Sequence, residues 1–486
     1  MAGPVPVGTG AGAGQNAPAN RTPTRRGTEL LLLIFASGLV TAAFVLVEAN
    51  QEQELTMQVV YYGLTYLALF SVAHLVVRRW APYADPLILP CVALLNGLGL
   101  VMIHRIDLAN AEQTGAKIGL FTGDAARQVL WTFIALALFL TVLVVIKDHR
   151  TLARYSYTFG LVGLFFLALP GVLPASLSEV NGAKAWLRFG GLFSIQPGEF
   201  AKILLMIFFA AFLVAKRDLF LAAGRRFLGL ELPRARDLGP LIVAFAGAVG
   251  VLVLEKDLGN SLLIFGVVLV MLYVATERAA WLIIGLVPFM GACVLAYNMF
   301  THVQQRVSNW LDPFASYYDV GGGYQLAQSL FGLGTGGVAG AGLGAGRPDI
   351  IPAADTDFIV TAIGEELGFI GLTAVLLIYM LLALRGLRSS LAVRDTFGKL
   401  LGGGLAFSMI WQVFVVVGGV TKLIPETGLT SPFLSAGGSS LLANYMLVAL
   451  LLRISDTARR PKGSSKPQLR QVPLADAGTV MVERSR

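Results

Sequence analysis

Residues 181–202 read Asn181-Gly-Ala-Lys-Ala-Trp-Leu-Arg-Phe-Gly-Gly-Leu-Phe-Ser-Ile-Gln-Pro-Gly-Glu-Phe-Ala-Lys202. An amide, cations, an indole and an acid–base pair follow one another here, between stretches apolar enough to dissolve in lipid. Charged groups at membrane depth are expensive, so a cluster of them points to function. Ser194-Ile-Gln-Pro-Gly-Glu199 has the form of a helix start. Pro197 suits the first helical position, and Ser194 or Gln196 can cap the free amides. Glu199 and Lys202 lie three apart and share one helical face. They read either as an interfacial ion pair that fixes a helix end or as one wall of a polar cavity.

Three further groups carry chemistry. Glu255-Lys256-Asp257-Leu-Gly-Asn260 sits in a hairpin too short to reach far into water, with Asp257 placed to cap the next helix. A long polar segment holds Arg306, Asp312, Asp319, Tyr324 and Gln325, then a Gly-rich run. Within that run Gly332-Leu-Gly-Thr-Gly-Gly337 matches G-x-G-x-x-G, but no strand precedes it and no βαβ unit surrounds it. Closely packed or flexible backbone is the better reading. Asp355-Thr-Asp-Phe-Ile-Val-Thr-Ala-Ile-Gly-Glu-Glu-Leu-Gly368 puts Asp357 at a helix start and Glu365 and Glu366 roughly 10 Å into an apolar span. Carboxylates at that depth must protonate or find a partner. Gly437-Gly-Ser-Ser-Leu-Leu-Ala443 opens the last span with small residues that allow close helix packing.

The elements that position these groups are membrane helices. Of 486 residues 56% are hydrophobic and only 14% charged, with a mean hydropathy of +0.71. Soluble domains carry about 25% charged residues. The deficit is spread along the chain, so many spans are expected. A span needs roughly 20 mostly apolar residues. Twelve candidates are found near 30–48, 56–77, 84–103, 127–146, 156–173, 199–215, 238–254, 258–275, 279–300, 358–384, 399–420 and 433–453. The expected fold is all-α and polytopic, with about 12 transmembrane helices and a large extracytoplasmic loop between helices 9 and 10.

Most of the 37 Lys and Arg residues fall inside if both termini are cytoplasmic, which sets the orientation. The polar segments 174–199 and 301–357 then face outward. The net charge of +8 does not indicate nucleic acid, because the basic residues alternate with apolar spans and form no single face. They serve topology and acidic lipid headgroups. Cys91 and Cys293 sit inside apolar segments and read as buried small side chains, with no disulfide framework or metal site. Residues 1–28 and 456–486 read as disordered cytoplasmic tails, the second one basic. No cleavage site follows the first apolar run, so it is expected to remain as a span. These residues by themselves leave a transporter and a membrane enzyme open.

At these motifs the sequence resembles the SEDS family, the bacterial RodA/FtsW/SpoVE proteins of cell-wall elongation, division and sporulation. The matching pieces occur in family order: Asn181-Gly-Ala with Trp186 and Gln196-Pro-Gly-Glu199, then Asp257-Leu-Gly, Gly323-Tyr-Gln-Leu326, Thr356-Asp-Phe-Ile with Gly364-Glu-Glu-Leu-Gly368, and Gly437-Gly-Ser-Ser440. The likeness covers about 85–455, so residues 29–80 stand as two extra N-terminal helices before a core of 81–455. Asp355 stands where the family often has His, and Ala185 where a second basic residue is common. The stretch Asp312 to Tyr324 does not align gap-free with the family's loop.

The resemblance implies a peptidoglycan glycosyltransferase, RodA-like, that polymerises lipid II at the outer face of a bacterial cytoplasmic membrane. It also implies undecaprenyl-pyrophosphate-linked glycan as product and a class B penicillin-binding protein as partner. The reaction joins the 4-hydroxyl of one sugar to the anomeric carbon of another and displaces a lipid pyrophosphate. It needs a base near the hydroxyl. It also needs positive charge, or a divalent cation such as Mg2+, on the leaving group. By resemblance Asp319 is the catalytic aspartate, with Asp312 in reserve. Lys184, Arg188, Lys202 and Arg306 are the pyrophosphate candidates. Trp186, Glu199, Asp257, Tyr324, Gln325, Asp357, Glu365 and Glu366 complete the expected substrate-binding set. A lipid II flippase and a non-catalytic scaffold are the alternative readings.

Overall fold

The computed structural model describes residues 24–51, 57–115, 123–180, 183–189, 193–217, 226–227, 230–231, 250, 257–319 and 321–461. Ten helices among the described residues are long and apolar enough to cross a membrane. They are α1 (Arg26–Asn50), α2 (Met57–Trp80), α3 (Ile88–Thr114), α4 (Asp124–Val145), α8 (Pro197–Ala215), α9 (Leu258–Thr276), α10 (Ala280–Met299), α13 (Ile359–Ala392), α14 (Thr396–Val420) and α15 (Gly438–Arg459). An eleventh expected span is α6 (Ser156–Val172), flanked by the short helices α5 (Arg150–Arg154) and α7 (Ala175–Ser178). The remaining expected span, 238–254, lies outside the described residues except at position 250, as do Glu255, Lys256 and most of both tails.

The expected loop 301–357 is not an open loop. It folds into α11 (Thr301–Leu311), α12 (Tyr324–Gly336) and a 3-10 turn at Pro348–Ile350. The polar segment before α8 likewise forms two antiparallel hairpins. In them β1 (Glu179–Val180) pairs with β2 (Ala183–Lys184), and β3 (Leu187–Phe189) with β4 (Phe193–Ile195).

The centre of the bundle is α3 and α15, whose most apolar windows are each 89% buried, against 17% for α10 and 28% for α13. The peripheral helices turn Leu, Val, Ile and Phe outward, as a lipid-facing surface requires. Cys91 is buried as expected, whereas Cys293 on α10 is exposed on that surface. Buried α15 also tidies the ends of its neighbours. Arg453 Nε and Nη1 donate to the carbonyls of Ile146 and Trp80, at 2.5 and 2.6 Å, and Nη2 donates to Leu143. A cation thus serves the last carbonyls of α2 and α4, where the helix dipoles favour it.

One helix is broken. Within α13, Gly368 has φ 65° and ψ −171°, outside the helical region. A break in a membrane span orphans backbone groups, and these must be satisfied by other protein. The Gly-rich run supplies the partners. Ala341 and Gly342 N–H donate to the carbonyls of Glu365 and Glu366, both at 2.9 Å. Phe369 and Ile370 N–H donate to the carbonyls of Gly337 and Val338, at 2.9 and 3.2 Å. A Cβ on Gly368 would lie 2.2 Å from the Gly340 amide nitrogen, so backbone meets backbone without side chains between. The run packs closely, the first of the two readings its composition allowed.

Gly368→Ala is therefore expected to destabilise by about 1–3 kcal/mol from backbone strain alone. Gly403→Ala in α14, whose added Cβ meets nothing within 4 Å, should gain up to about 1 kcal/mol of helix propensity. Thermal melting of both variants in detergent checks this, and equal melting would contradict it.

Candidate active site

The N-termini of α8, α9, α13 and α15 converge at one end of the bundle, around a cavity of about 300 Å³. Its lining includes Trp186, Glu199, Asp257, Arg306 and Asp357 from the expected set, with Gln196, Thr356, Gly428, Thr430, Ser439 and Ser440 beside them. Each helix N-terminus carries about half a positive charge and free N–H groups, so the cavity suits an anion.

Local sequence builds each corner. Pro197 opens α8 as expected, but neither Ser194 nor Gln196 caps it. Strand β4 delivers Gln196 in extended conformation, its N–H donates to Ser439 Oγ at 2.9 Å, and its Nε2 donates to Asp257 Oδ2 at 3.1 Å. Asp257 caps α9 as the sequence indicated, accepting from Asn260 N at 3.1 Å and Asn260 Nδ2 at 2.7 Å. Burial raises the Asp257 carboxyl against those bonds. The small residues that open α15 are needed for packing too: a Cβ on Gly438 would lie 2.3 Å from the Trp131 ring.

Glu199 and Lys202 form the expected pair, with Lys202 Nζ 2.6 Å from Glu199 Oε2 and both residues no more than 2% exposed. Lys202 also donates to Gln412 Oε1 at 2.9 Å, and Gln412 Nε2 donates to the Thr430 carbonyl at 2.8 Å. Lys202 is thus set behind the cavity wall and steadies it. Arg306 enters from α11, where Nη1 donates to the Glu426 carbonyl at 3.3 Å. Gly428 lies between Arg306 and Asp357, since a Cβ there would be 3.3 Å from Arg306 Nη2 and 3.8 Å from Asp357 Oδ2. Burial, with the nearby Glu426 charge, pushes the Asp357 carboxyl up to about 7.

The other expected residues sit elsewhere. Lys184 in β2 is half-buried and Arg188 in β3 is exposed, and neither lines the cavity. Asp312 and Asp319 are exposed on the turn after α11. Tyr324 stacks edge-on against Tyr317 at 5.1 Å, and Gln325 Nε2 ties α12 to the Pro352 carbonyl at 2.9 Å. Glu365 accepts from Arg347 N at 2.9 Å. Glu366 accepts from Arg105 Nε and Gly344 N, both at 3.0 Å. Those two acids brace the break in α13 and do not line the cavity. Sequence reasoning passed over Gln412, although a buried amide inside an apolar span is a usable signal. Gly428, Thr430 and Glu426 gave none. Among the described residues no three His, Cys, Asp or Glu converge as a metal site, and the Asp257 carboxylate is engaged in capping.

The sequence matches the model of the FtsW/RodA/SpoVE family, described as cell cycle protein, over residues 85–460. The chain belongs to this family. It is 56% identical to the peptidoglycan glycosyltransferase RodA of Mycobacterium tuberculosis strain H37Rv, over 95% of this chain and 97% of that one. It is 34% identical to the stage V sporulation protein E of Bacillus subtilis, over 77% and 98%. Among solved structures it resembles a chain from a peptidoglycan synthase complex that coordinates polymerization and crosslinking, with TM-score 0.59 and 26% identity, covering 78% of this chain and 99% of that one. Family membership and the apolar helices make it a multi-pass membrane protein.

The buried pair yields a sharp expectation. Breaking a buried ion pair by removing one partner costs about 3–5 kcal/mol, because the other charge is stranded. Lys202→Met and Glu199→Gln should each be strongly destabilising, and the double variant should cost less than the sum. Denaturation of the three variants in detergent tests this, and strictly additive losses would contradict it.

Proposed function

We propose that this protein polymerises lipid II in the cavity at the helix N-termini, at the outer face of a bacterial cytoplasmic membrane. It is a glycosyltransferase of peptidoglycan synthesis. The observation that carries the cavity reading is the convergence of helix N-termini and Arg306 on one polar space. That arrangement favours a pyrophosphate and the charge that grows on it as it leaves.

The 4-hydroxyl oxygen of the acceptor sugar attacks the anomeric carbon of the donor. The new glycosidic bond forms, the bond to the lipid pyrophosphate breaks, and the hydroxyl proton passes to a carboxylate. Asp319 is assigned as that base. Its loop folds back on α11, where Asn309 Nδ2 donates to the Gly321 carbonyl at 3.0 Å, one turn from Arg306. Asp312 is committed otherwise, because its Oδ1 accepts from Phe314 N at 3.0 Å and Ala315 N at 3.2 Å and closes the turn. Asp357, raised into the neutral range, is placed to hold or share a proton beside Arg306.

The outward orientation is supported by the basic residues at the opposite end of the bundle, among them Arg78, Arg79, Arg150, Arg154 and Arg394. Both termini are then cytoplasmic. A flippase would need polar groups serving both faces in turn, whereas the polar lining here gathers at one end. A role in elongation is supported by the RodA relatives, which match 95% of this chain and so include α1 and α2. A class B penicillin-binding protein is the proposed partner, in keeping with the likeness to a synthase complex.

A positioned base is worth about 10²–10⁴ in rate. Asp319→Asn should therefore nearly abolish glycan synthesis from lipid II while leaving protein yield and melting unchanged. Asp312→Asn should act mainly by loosening its turn and be milder. Near wild-type polymerisation by Asp319→Asn, seen on a glycan gel, would remove Asp319 from the mechanism.

A further inference from the structure

A second polar pocket, of about 490 Å³, lies at the same end of the bundle. It is formed by the C-terminal ends of α1 and α3 and by the turn 344–347. Its polar lining includes Asn50, Arg105, Glu112, Gln113, Arg347 and Asp349. None of these residues lines the cavity described above. The volume falls within the range of about 300–1,000 Å³ typical of small-molecule sites.

The pocket is built rather than incidental. Arg105 is 2% exposed, held by Glu366 Oε1 at 3.0 Å and by the Gly346 carbonyl at 2.7 Å. Its Nη1 is nevertheless buried without a hydrogen-bond partner. A buried guanidinium nitrogen left unpaired costs free energy unless a ligand or water meets it. The other polar groups are fixed around it. Gln113 Nε2 donates to Asp349 Oδ2 at 2.6 Å, Arg347 Nη2 donates to the same carboxylate at 3.0 Å, and Asn50 Nδ2 donates to the Leu343 carbonyl. Each amide thereby keeps its carbonyl oxygen as an acceptor.

Charge decides the ligand class. Two guanidiniums, Arg105 and Arg347, face three carboxylates, Glu112, Asp349 and Glu366. A phosphate or other anion meets no net positive charge here, in contrast to the cavity at the helix N-termini. A divalent cation finds no cluster of acidic or imidazole ligands among the described residues. What remains is a neutral ligand rich in hydroxyl and amide groups, able to donate to the carbonyl acceptors and accept from Arg105.

Position decides the use. Asp349 lines this pocket and Ala353 lines the catalytic cavity. Three residues lie between them, so the two are at most about 14 Å apart along the chain. We infer that this pocket is a saccharide subsite, holding an N-acetylated sugar of the glycan strand while the neighbouring cavity carries out the transfer. The inference rests on the glycosyltransferase reading for its biological meaning. It places the extra helix α1 in the wall of a binding site, since Asn50 and Gln51 both contribute to the lining.

The test is photocrosslinking of the purified full chain with a diazirine-bearing, lipid-free and uncharged tetrasaccharide of N-acetylglucosamine, mapped by mass spectrometry. Labelling is expected on peptides that contain Gln113 and Arg347. Gln113→Trp, which fills the pocket from an exposed position, and Arg347→Ala should each reduce that labelling about tenfold, the effect of one or two lost hydrogen bonds to a charged group. Gly403→Ala, whose added methyl meets nothing within 4 Å, should retain it. Labelling confined to peptides of the catalytic cavity, or labelling at Gln113 and Arg347 that neither substitution diminishes, would overturn the proposal. Because the probe carries no leaving group, labelling is read whether or not lipid II is polymerised. A protein that labels as expected but makes no glycan would refute the polymerase reading and leave the subsite standing.

Discussion

The Asp257 carboxylate holds together the end of the bundle where the helix N-termini meet. It caps α9 through Asn260 and accepts from Gln196 at the start of α8. Gln196 in turn donates its N–H to Ser439 at the start of α15. Three helix N-termini are thereby fixed side by side around one space. Positive helix ends repel one another in a medium of low dielectric, so their convergence has to be held by anions and hydrogen bonds. Asp257 and Glu199 supply the anions. The residual field is available to a substrate pyrophosphate.

The same economy of pairing explains the deeper polar groups. Lys202 is buried beneath the cavity with Glu199 and Gln412 as partners. A buried ion pair adds little net stability over a well-packed apolar pair. Its value here is geometric: through Gln412 it fixes the carbonyl of Thr430 in the cavity wall. Arg105 and Glu366 play a matching part at the break in α13, where the Gly-rich run completes the backbone hydrogen bonds that Gly368 interrupts. Thus two of the acids suspected of chemistry, Glu365 and Glu366, shape the break and the pocket beside it rather than the cavity at the helix N-termini.

Much of this was legible in the sequence, because a membrane makes polarity conspicuous. The apolar runs marked the helices, and Glu199 with Lys202 and the cap at Asp257 stood out as local patterns of charge and spacing. What was not legible depended on contacts between distant segments. Arg105 finds Glu366 across 261 positions, and Lys202 finds Gln412 across 210. The 301–357 segment read as a loop because α11 and α12 are too short and too polar to register as spans. Its helices are set by docking, as where Trp310 Nε1 donates to the Lys422 carbonyl at 3.1 Å. The role of Gly428 was invisible, because only the assembled fold brings it between Arg306 and Asp357.

Polymerisation at this end of the bundle requires that the cavity hold the leaving pyrophosphate. Arg306 is the guanidinium that lines it, and removing one such charge-stabilising donor typically costs about 10²–10³ in rate. The direct measurement is glycan synthesis from lipid II by the purified protein and by its Arg306→Gln variant, in detergent, with products resolved on a gel. A glycan ladder from the native chain and its loss in the variant, with melting unchanged, is the predicted result. A ladder of similar length and rate from Arg306→Gln would show that the chemistry takes place elsewhere in the molecule.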